Sequence, residues 1–369
     1  MFYNNQEPRT AFQLGFNPPF FFSVSRFSDF GVTPAAIVDQ GFPSVNPDDA
    51  EFPMLITVDE NFKSPYYEQW NLAVQHSLPW DMAVEVGYVG TRGLHLQVLR
   101  DRNQPTPAPG DVQERRPYPQ YGNFASIENS GRSQYNGFQL KLTKRLGSGL
   151  WFLASYAYGV AKSDQGEIGL NSPWPQNSLN VASDYGRSDG DQRHKVSGSW
   201  TWDLPFGQGR AHLNSGGIVE ALLGGWQFGG IITYGSGFPF TPLIGVDPSN
   251  TGTFGSIRPD QTGDPSVSDR SPNHWFNTGA YAVPADYTFG NAERNSLTGP
   301  DFFDVDLYLA KRFAVGQDLS LEFRLEVYNV ANRANFAQPD PFVDSDSGGT
   351  ITGLASPMRE IQWGLRLYF

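Results

Sequence analysis

The feature that most constrains the fold is an alternation of apolar and polar residues that runs to the last residue of the chain. In the final octad, 362–369, apolar or aromatic side chains stand at Trp363, Leu365, Leu367 and Phe369, with mostly polar or small residues between them. A period of two places alternate residues on opposite faces of a β-strand. The chain therefore ends in a predicted strand, whereas most soluble domains end in a frayed polar tail.

The same alternation recurs along the chain, in runs that are long for soluble strands. The runs approach the about 9–11 residues that cross a bilayer at a tilt, whereas an ordinary strand has about 5–6. Their apolar residues are Trp70, Leu72, Val74; Met82, Val84, Val86, Tyr88; Phe138, Leu140, Leu142; Val196, Trp200, Trp202, Leu204; Trp226, Phe228, Ile232, Tyr234; Phe303, Val305, Leu307, Leu309; and Leu319, Leu321, Phe323, Leu325, Val327. This repetition predicts an all-β, antiparallel sheet of about nine or ten membrane-crossing strands.

The connections between these runs alternate between short and long. Short turns are predicted at 79–81, 147–149, 316–318 and, slightly longer, after Pro205. Long Gly-, Pro-, Asp- and Asn-rich segments are predicted at 91–133, 162–191, 242–301 and 332–357. Such long loops are uncommon in compact soluble domains, whereas outer-membrane barrels combine short periplasmic turns with long extracellular loops. With a periplasmic C-terminus, every short turn falls in the periplasm and every long loop outside.

The composition favours strands and excludes several classes of protein. Among 369 residues there are 40 Gly, 28 Pro and 14% aromatics, a mixture that suits strands joined by turns. Gly and Pro interrupt the charge-free segment 221–246, which is therefore interpreted as a strand and its loop rather than a spanning helix. The absence of cysteine excludes disulfides and Cys-type metal centres, and the net charge of −12 argues against a nucleic-acid partner.

No motif for catalysis, metal or cofactor binding is recognisable, so no enzyme, metal or cofactor is predicted. The five histidines show no HExxH spacing, and there is no nucleophile elbow or phosphate loop. The segment 344–348 begins like a calcium loop but lacks the distal Glu, and it is interpreted as an acidic solvated loop. The same interpretation is given to Asp184, Asp189 and Asp191.

Charged residues at every second position of a strand lie on the same face, because their position numbers have the same parity (all even here). Such residues are candidates for the lining of a barrel lumen. Glu322 and Glu326 would lie about 13 Å apart along a strand, too far for the carboxylate pair of a glycoside hydrolase. Lumen polarity is therefore the simpler interpretation. The candidates are Asp304, Asp306, Glu322, Arg324 and Glu326.

The long segments also hold an acidic excess, notably in 29–60 and 247–301. Together with Trp275, Tyr281 and Tyr287, which are candidates for stacking on sugar or peptide groups, they predict an external mouth for neutral or cationic ligands. The alternative is that acidic loops only keep the exterior soluble.

The final octad resembles the C-terminal assembly signal of bacterial outer-membrane β-barrels. Its signal positions are Gln362, Gly364, Leu367 and Phe369. The resemblance implies the outer membrane as location, with its lipid and the barrel assembly machinery as partners.

Five further short sequence segments show a second resemblance. They are Ser64–Asn71, Val86–Gly93, Asp191–Lys195, Gly224–Gln227 and Val327–Asn332. In combination they make the chain similar to the C-terminal part of Oar-like TonB-dependent transporters, which are found with a carboxypeptidase-regulatory-like domain. The resemblance implies a barrel of about 22 strands with a plug, energised through TonB for the uptake of a large or scarce solute.

The chain departs from that family at its N-terminal side. No plug-sized domain, TonB box or signal peptide is visible before the first strand, so a transporter fragment is expected, with TonB reached only through a missing plug. Residues 1–66 are expected to form a truncated strand end and a long extracellular loop, and residues 67–369 the barrel strands. Because these strands are patterned for a larger circumference, the isolated chain is not expected to insert as a stable pore.

Two other functional classes stay open at this point. The first is an outer-membrane structural or adhesion protein whose loops bind a surface without transport. The second is a soluble, secreted, β-rich carbohydrate-binding domain.

Overall fold

A computed structural model shows the chain as one large β-sheet with folded connections at one end. It describes residues 2–3, 14–18, 20–21, 52–147, 149–164, 174–207, 209–214, 217–253, 257–314 and 319–369. Among these residues, no helix has the length and apolar character needed to cross a bilayer.

The described residues form sixteen strands and one short α-helix, α1, at Ile218–Leu223. In chain order, the strands are β1 Phe2–Tyr3, β2 Leu55–Val58, β3 Tyr66–Leu78, β4 Met82–Asp101, β5 Phe124–Gly147, β6 Leu150–Ser163, β7 Gly186–Arg187, β8 His194–Asp203, β9 Trp226–Gly235, β10 Pro239–Phe240, β11 Asp260–Gln261, β12 Tyr281–Ala282, β13 Leu297–Thr298, β14 Phe302–Ala314, β15 Ser320–Tyr328 and β16 Glu360–Tyr368.

Ten strands follow one another across the main sheet, in the order β1-β3-β4-β5-β6-β8-β9-β14-β15-β16. All pairs along this path are antiparallel, while β2 adds to β5 in parallel and β7 adds to β6 at the margin. The all-β antiparallel prediction is thus confirmed. Within the described part, β1 and β16 do not pair with each other, and the size of a closed barrel stays a prediction.

The strand registers place the predicted alternating apolar residues on one face, here called the apolar face. One row across four strands is Phe228, Leu309, Leu325 and Trp363. Many side chains on this face are exposed, with Leu72 and Trp363 each 69% exposed. A soluble sheet would bury such a face, whereas a lipid-facing sheet leaves it uncovered by protein.

The two ends of the sheet differ as the short and long connections predict. β3 and β4 are joined at the predicted turn 79–81, and β5 and β6 at 147–149. The predicted turn at 316–318 lies outside the described residues. At the opposite end, the connections β4–β5, β6–β8, β9–β14 and β15–β16 are long.

The predicted loop 91–133 is wrong at both ends, because strands occupy much of it. β4 continues to Asp101, β5 begins at Phe124, and the two stay paired throughout. The register shifts near Leu96, where His95 has a φ of 55°. Such a β-bulge interrupts the two-residue period, so the sequence pattern reads as a loop.

The charge-free segment 221–246 was interpreted as a strand and its loop, but the structure begins it with the end of a helix. Its first three residues, 221–223, end helix α1, and β9 follows from Trp226. The helix lies in the connection between β8 and β9, at the end of the short turns.

The long connections fold together into what we call the cap, the described residues of 102–123, 164–193, 236–301 and 329–359. Two apolar clusters stabilise this end of the molecule. The first contains Ile56, Leu99, Ala125, Ile127 and Trp174, and the second contains Phe276, Ala280, Tyr281, Ala292 and Leu297. The second cluster lies wholly within the cap, whereas the first joins Trp174 of the cap to residues of β2, β4 and β5.

Candidate functional site: the polar face and the cap

The face opposite the apolar one carries polar and charged residues that contact each other across strands; we call it the polar face. The Tyr308 hydroxyl lies 3.0 Å from the Thr201 hydroxyl and donates to Gln227 Oε1 at 3.1 Å. Gln227 Nε2 donates in turn to Asp203 at 2.9 Å. The Arg324 guanidinium lies 4.4 Å from the centre of the Tyr308 ring. One network thus joins β8, β9, β14 and β15.

All five predicted lumen residues belong to this face, and the structure joins two of them directly. Arg324 Nε donates to Glu326 Oε1 at 2.8 Å. Asp306 Oδ1 accepts from the Asn329 backbone N–H at 2.9 Å, at the rim of the cap. The buried Oδ1 of Asp304 has no hydrogen-bond partner among the described atoms. Placement on one face is observed, and a role in lining a lumen stays a prediction.

Glu322 belongs to a second network, nearer the short turns. Its carboxylate accepts from Arg312 Nη2 at 3.0 Å and from the Tyr368 hydroxyl at 3.3 Å. The Arg312 guanidinium also lies 4.4 Å from the centre of the Tyr368 ring. A polar face with both charges and aromatic hydroxyls offers hydrogen bonds to solute or water along its length.

Sequence reasoning missed several members of these networks. They are Thr201, Asp203, Gln227, Tyr308, Arg312 and Tyr368. The signal that would have found the β14 members is parity, because Tyr308 and Arg312 are an even number of residues from Asp306.

The predicted assembly residues lie on β16, at the edge of the sheet, or directly after it. Gln362 and Gly364 face Glu326 and Arg324 across the ladder. An added Cβ at Gly364 would meet no atom within 4 Å, and Phe369 is 99% exposed. The packing of this chain therefore does not explain Gly364 or Phe369, and their role in assembly stays a prediction.

The cap contains buried ion pairs between distant segments. Arg258 Nη1 lies 2.7 Å from Asp184 Oδ1, and each side chain is only 5% exposed. Arg294 donates to the Asp184 backbone carbonyl at 2.9 Å and to Asp189 at 3.1 Å. Burial lowers the pKa of Arg294, and the negative charge of Asp189 opposes that shift. These contacts tie the β6–β8 connection to the β9–β14 connection.

The interpretation of Asp184 and Asp191 as solvated loop residues is therefore wrong. Asp191 accepts from Arg187 Nε at 2.8 Å and from Arg193 Nε at 2.9 Å, and its side chain is buried. Each of these buried carboxylates is thus paired with at least one arginine inside the cap. No group of three or more His, Asp or Glu that could hold a metal ion occurs in the part of the chain that the structure describes.

Asp164, at the start of the β6–β8 connection, is expected to make the stability of the cap depend on pH. Burial raises the pKa of its carboxyl above 3.8, against the opposing charge and hydrogen bonds of Arg132. The folded state therefore favours the protonated form, and stability is expected to fall as pH rises from below 3.8 through the raised pKa. Asp164→Asn should remove this fall and leave a cap that is more stable than wild type at neutral pH.

The measurement is backbone hydrogen exchange of the cap at acidic and neutral pH. Asp264→Asn is the matched control with the opposite sign, because hydrogen bonds from Ser266 lower the pKa of exposed Asp264. In wild type, the lowered pKa of Asp264 stabilises the folded state slightly at pH values above the pKa that this carboxyl has in the unfolded chain. Asp264→Asn should lose that small stabilisation. An Asp164→Asn cap less protected than wild type at neutral pH would contradict the prediction.

The three predicted ligand-contact aromatics differ in accessibility. Tyr287 is 42% exposed on the cap. Trp275 is half-buried, its indole N–H donates to the Thr298 carbonyl at 2.9 Å, and Arg270 lies 5.5 Å from its ring centre. Tyr281 is 8% exposed within the second apolar cluster, so its ring is not accessible for stacking. A stacking role is thus retained for Tyr287 and Trp275 alone.

An antiparallel sheet with an exposed apolar face, a networked polar face, short turns at one end and a folded cap at the other defines a membrane β-barrel domain. Comparison with protein families agrees. The chain belongs to the outer membrane beta barrel domain family, whose model matches residues 1–362. The protein is thus located in the outer membrane. Among curated proteins, none matches this chain.

Several solved structures are similar to the chain. They include the outer membrane transporter YddB from Escherichia coli, with a TM-score of 0.46 and 12% identity. The pyoverdine receptor FpvA from Pseudomonas aeruginosa PAO1 has a TM-score of 0.42 and 10% identity, and the FrpB iron transporter from Neisseria meningitidis 0.41 and 12%. The matches cover 86, 84 and 85% of this chain but 34, 30 and 33% of those chains. The chain spans about a third of their length.

Proposed function

We propose that the chain is the C-terminal barrel portion of an Oar-like TonB-dependent transporter that takes up a large or scarce solute. The five sequence segments that resemble Oar-like transporters support the subfamily. Membership of an outer-membrane barrel family supports the location in the outer membrane. The observation that carries a transport role is the polar face, whose networks cross four neighbouring strands opposite the lipid-facing side. A continuous polar lining is what a solute or water path requires.

The proposed mechanism divides the work between the cap and the polar face. The cap captures the solute outside the cell, and the polar face lines the path through the barrel. A plug supplied by a separate segment gates the path and contacts TonB. In this proposal, residues 1–66 extend the outer side, residues 67–369 supply barrel strands, and the barrel assembly machinery inserts them.

Energy-dependent accumulation is the test of this proposal. Fluorescent oligopeptides and oligosaccharides of graded size would be given to cells that make the protein as its gene encodes it. Periplasmic accumulation of at least one probe is expected, with its loss on removal of TonB or addition of a protonophore. Arg324→Gln should reduce accumulation while leaving surface binding intact, because it removes the guanidinium that contacts Glu326 and Tyr308.

The matched control lies on the other face of the neighbouring strand. Leu365→Ala changes an exposed apolar side chain on β16 and should leave accumulation unchanged. If cells without TonB accumulated every probe as well as wild type, the energised-transport proposal would fail.

Ligand capture by the cap is a separate prediction. Tyr287→Ala is expected to weaken binding of the captured probe by roughly fivefold to a hundredfold, as loss of one stacking contact of about 1–3 kcal/mol would do. Asn exchanges at exposed cap aspartates such as Asp269 and Asp286 should weaken binding of cationic probes in particular. Equilibrium binding to whole cells measures both, with Tyr281→Phe as the control at a buried ring. Unchanged binding in Tyr287→Ala and in the Asn variants would remove the cap from ligand capture.

The packed cap favours a second function, adhesion without transport. The apolar cluster around Phe276 and the buried Arg258–Asp184 ion pair pack its connections together, as a preformed binding platform requires. In that case, probes would bind at the surface and never reach the periplasm. Membership of an outer-membrane family gives no support to the soluble, secreted alternative.

A further inference from the structure

Helix α1 exposes an almost wholly apolar surface. Its sequence, IVEALL, contains a single charged residue, Glu220. Ile218, Val219, Leu222 and Leu223 are 79, 58, 62 and 55% exposed. A helix that is apolar nearly all round is stable only where apolar material covers it. The described part of this chain provides no such cover.

Two residues of the apolar face fix where this helix lies. Lys311 and Trp226 are paired across the β14–β9 ladder, in the same row as Phe323. Lys311 Nζ donates to the carbonyls of Ala221 and Leu222 at 2.6 and 3.1 Å. Trp226 Nε1 donates to the Leu222 carbonyl at 2.9 Å. The helix is therefore attached on the lipid-facing side of the sheet.

Lys311 explains how a charged side chain is accommodated on that face. The residue is only 5% exposed, and its ammonium lies 5.5 Å from the Trp226 ring centre and 4.9 Å from that of Phe313. The last carbonyls of a helix lack partners within the helix and carry partial negative charge. By donating to them, Lys311 satisfies both groups and holds the helix against the barrel wall.

We propose that α1 is a lipid anchor that lies in the periplasmic leaflet of the outer membrane, with its apolar side chains among phospholipid acyl chains. Its apolar surface continues the lipid-facing wall at the end of the short turns, where the membrane boundary falls. Lysine and tryptophan are the residues that mark such boundaries, and interfacial helices bury about 5–10 Å deep at the headgroup boundary. Phospholipid is thus the occupant that matches both chemistry and position.

Site-specific fluorescence tests the proposal, because the chain has no cysteine and an introduced one labels a single site within it. Leu222→Cys, and independently Ile218→Cys, would carry an environment-sensitive NBD label in protein isolated from the outer membrane and placed in phospholipid nanodiscs. Gln120→Cys, an exposed cap position, is the control. Both helix labels should show blue-shifted emission and lose fluorescence when lipids with nitroxide-labelled acyl chains are included; the control label should show neither effect.

Two outcomes would overturn the proposal. The first is water-like emission from both helix labels in folded, heat-modifiable protein. The second is protection in native membranes that disappears in nanodiscs of pure phospholipid, because it would assign the surface to a protein partner. Lys311→Met should leave the strands folded but reduce quenching of the helix labels, since it removes the donor that holds α1 against the wall.

Discussion

Asp184→Ala is expected to destabilise the cap by about 3–5 kcal/mol, because it leaves the Arg258 guanidinium buried without its carboxylate. Hydrogen exchange of cap peptides around residues 176–187 and 257–261 should then accelerate by about a hundredfold or more. Exchange in the membrane strands should not change. The change is local because the ion pair joins two connections and no strand of the main sheet.

The matched control is an exposed pair at the rim of the cap. Arg333 lies 2.8 Å from Asp301, with side chains 35 and 41% exposed, so Asp301→Ala should cost only about 0–1 kcal/mol. Combining Asp184→Leu with Arg258→Met should restore much of the protection, because no unpaired charge remains buried. Normal exchange in Asp184→Ala would show that water reaches Arg258 and that the pair does not hold the cap.

The sequence predicted most of the long strands well, because in them a period of two separates apolar from polar residues. Residues such as Leu72, Leu309 and Leu365 could be assigned to one face without knowledge of their neighbours. The prediction failed where a local irregularity broke the period. At His95 a bulge interrupts β4, and the strand beyond it was interpreted as a loop.

The cap could not be predicted, because its contacts have no periodic pattern. Asp184 and Arg258 are 74 residues apart and lie in segments of similar polar composition. Nothing in either segment distinguishes a buried carboxylate from a solvated one. The same holds for Tyr281, whose burial depends on Phe276 and other residues of its cluster. Helix α1 was missed since six residues are too few for a helical period to be recognised.

The polar face was predicted in part, for a related reason. Parity correctly placed Arg324 and Glu326 on a common face of β15. The structure shows in addition that these two side chains form a hydrogen bond of 2.8 Å. Parity does not tell which neighbours meet across strands, because that depends on register. Glu322 therefore contacts Arg312 and Tyr368 on the flanking strands, contacts that no intrastrand spacing indicates.

Phe369→Ala is expected to abolish most assembly of the protein in the outer membrane while leaving the stability of the folded sheet unchanged within about 0.5 kcal/mol. The residue is 99% exposed, so its side chain has almost no packing to lose. Heat-modifiable protein in outer-membrane fractions measures assembly, and unfolding of detergent-refolded protein measures stability. Phe369→Trp should restore assembly, because it keeps a terminal aromatic.

Phe369 is informative because its substitution is expected to change assembly in the outer membrane without changing the stability of the folded sheet. A buried aromatic such as Phe276, 3% exposed, would lose stability and assembly together when truncated to alanine, with a cost of about 3–5 kcal/mol. An assembly factor that binds the chain before the sheet has formed would recognise features that need not contribute to the packing of the folded sheet. Phe369 and Gly364, which the packing leaves unexplained, are the candidates for such features. Normal assembly of Phe369→Ala would show that the terminal octad is an ordinary edge strand.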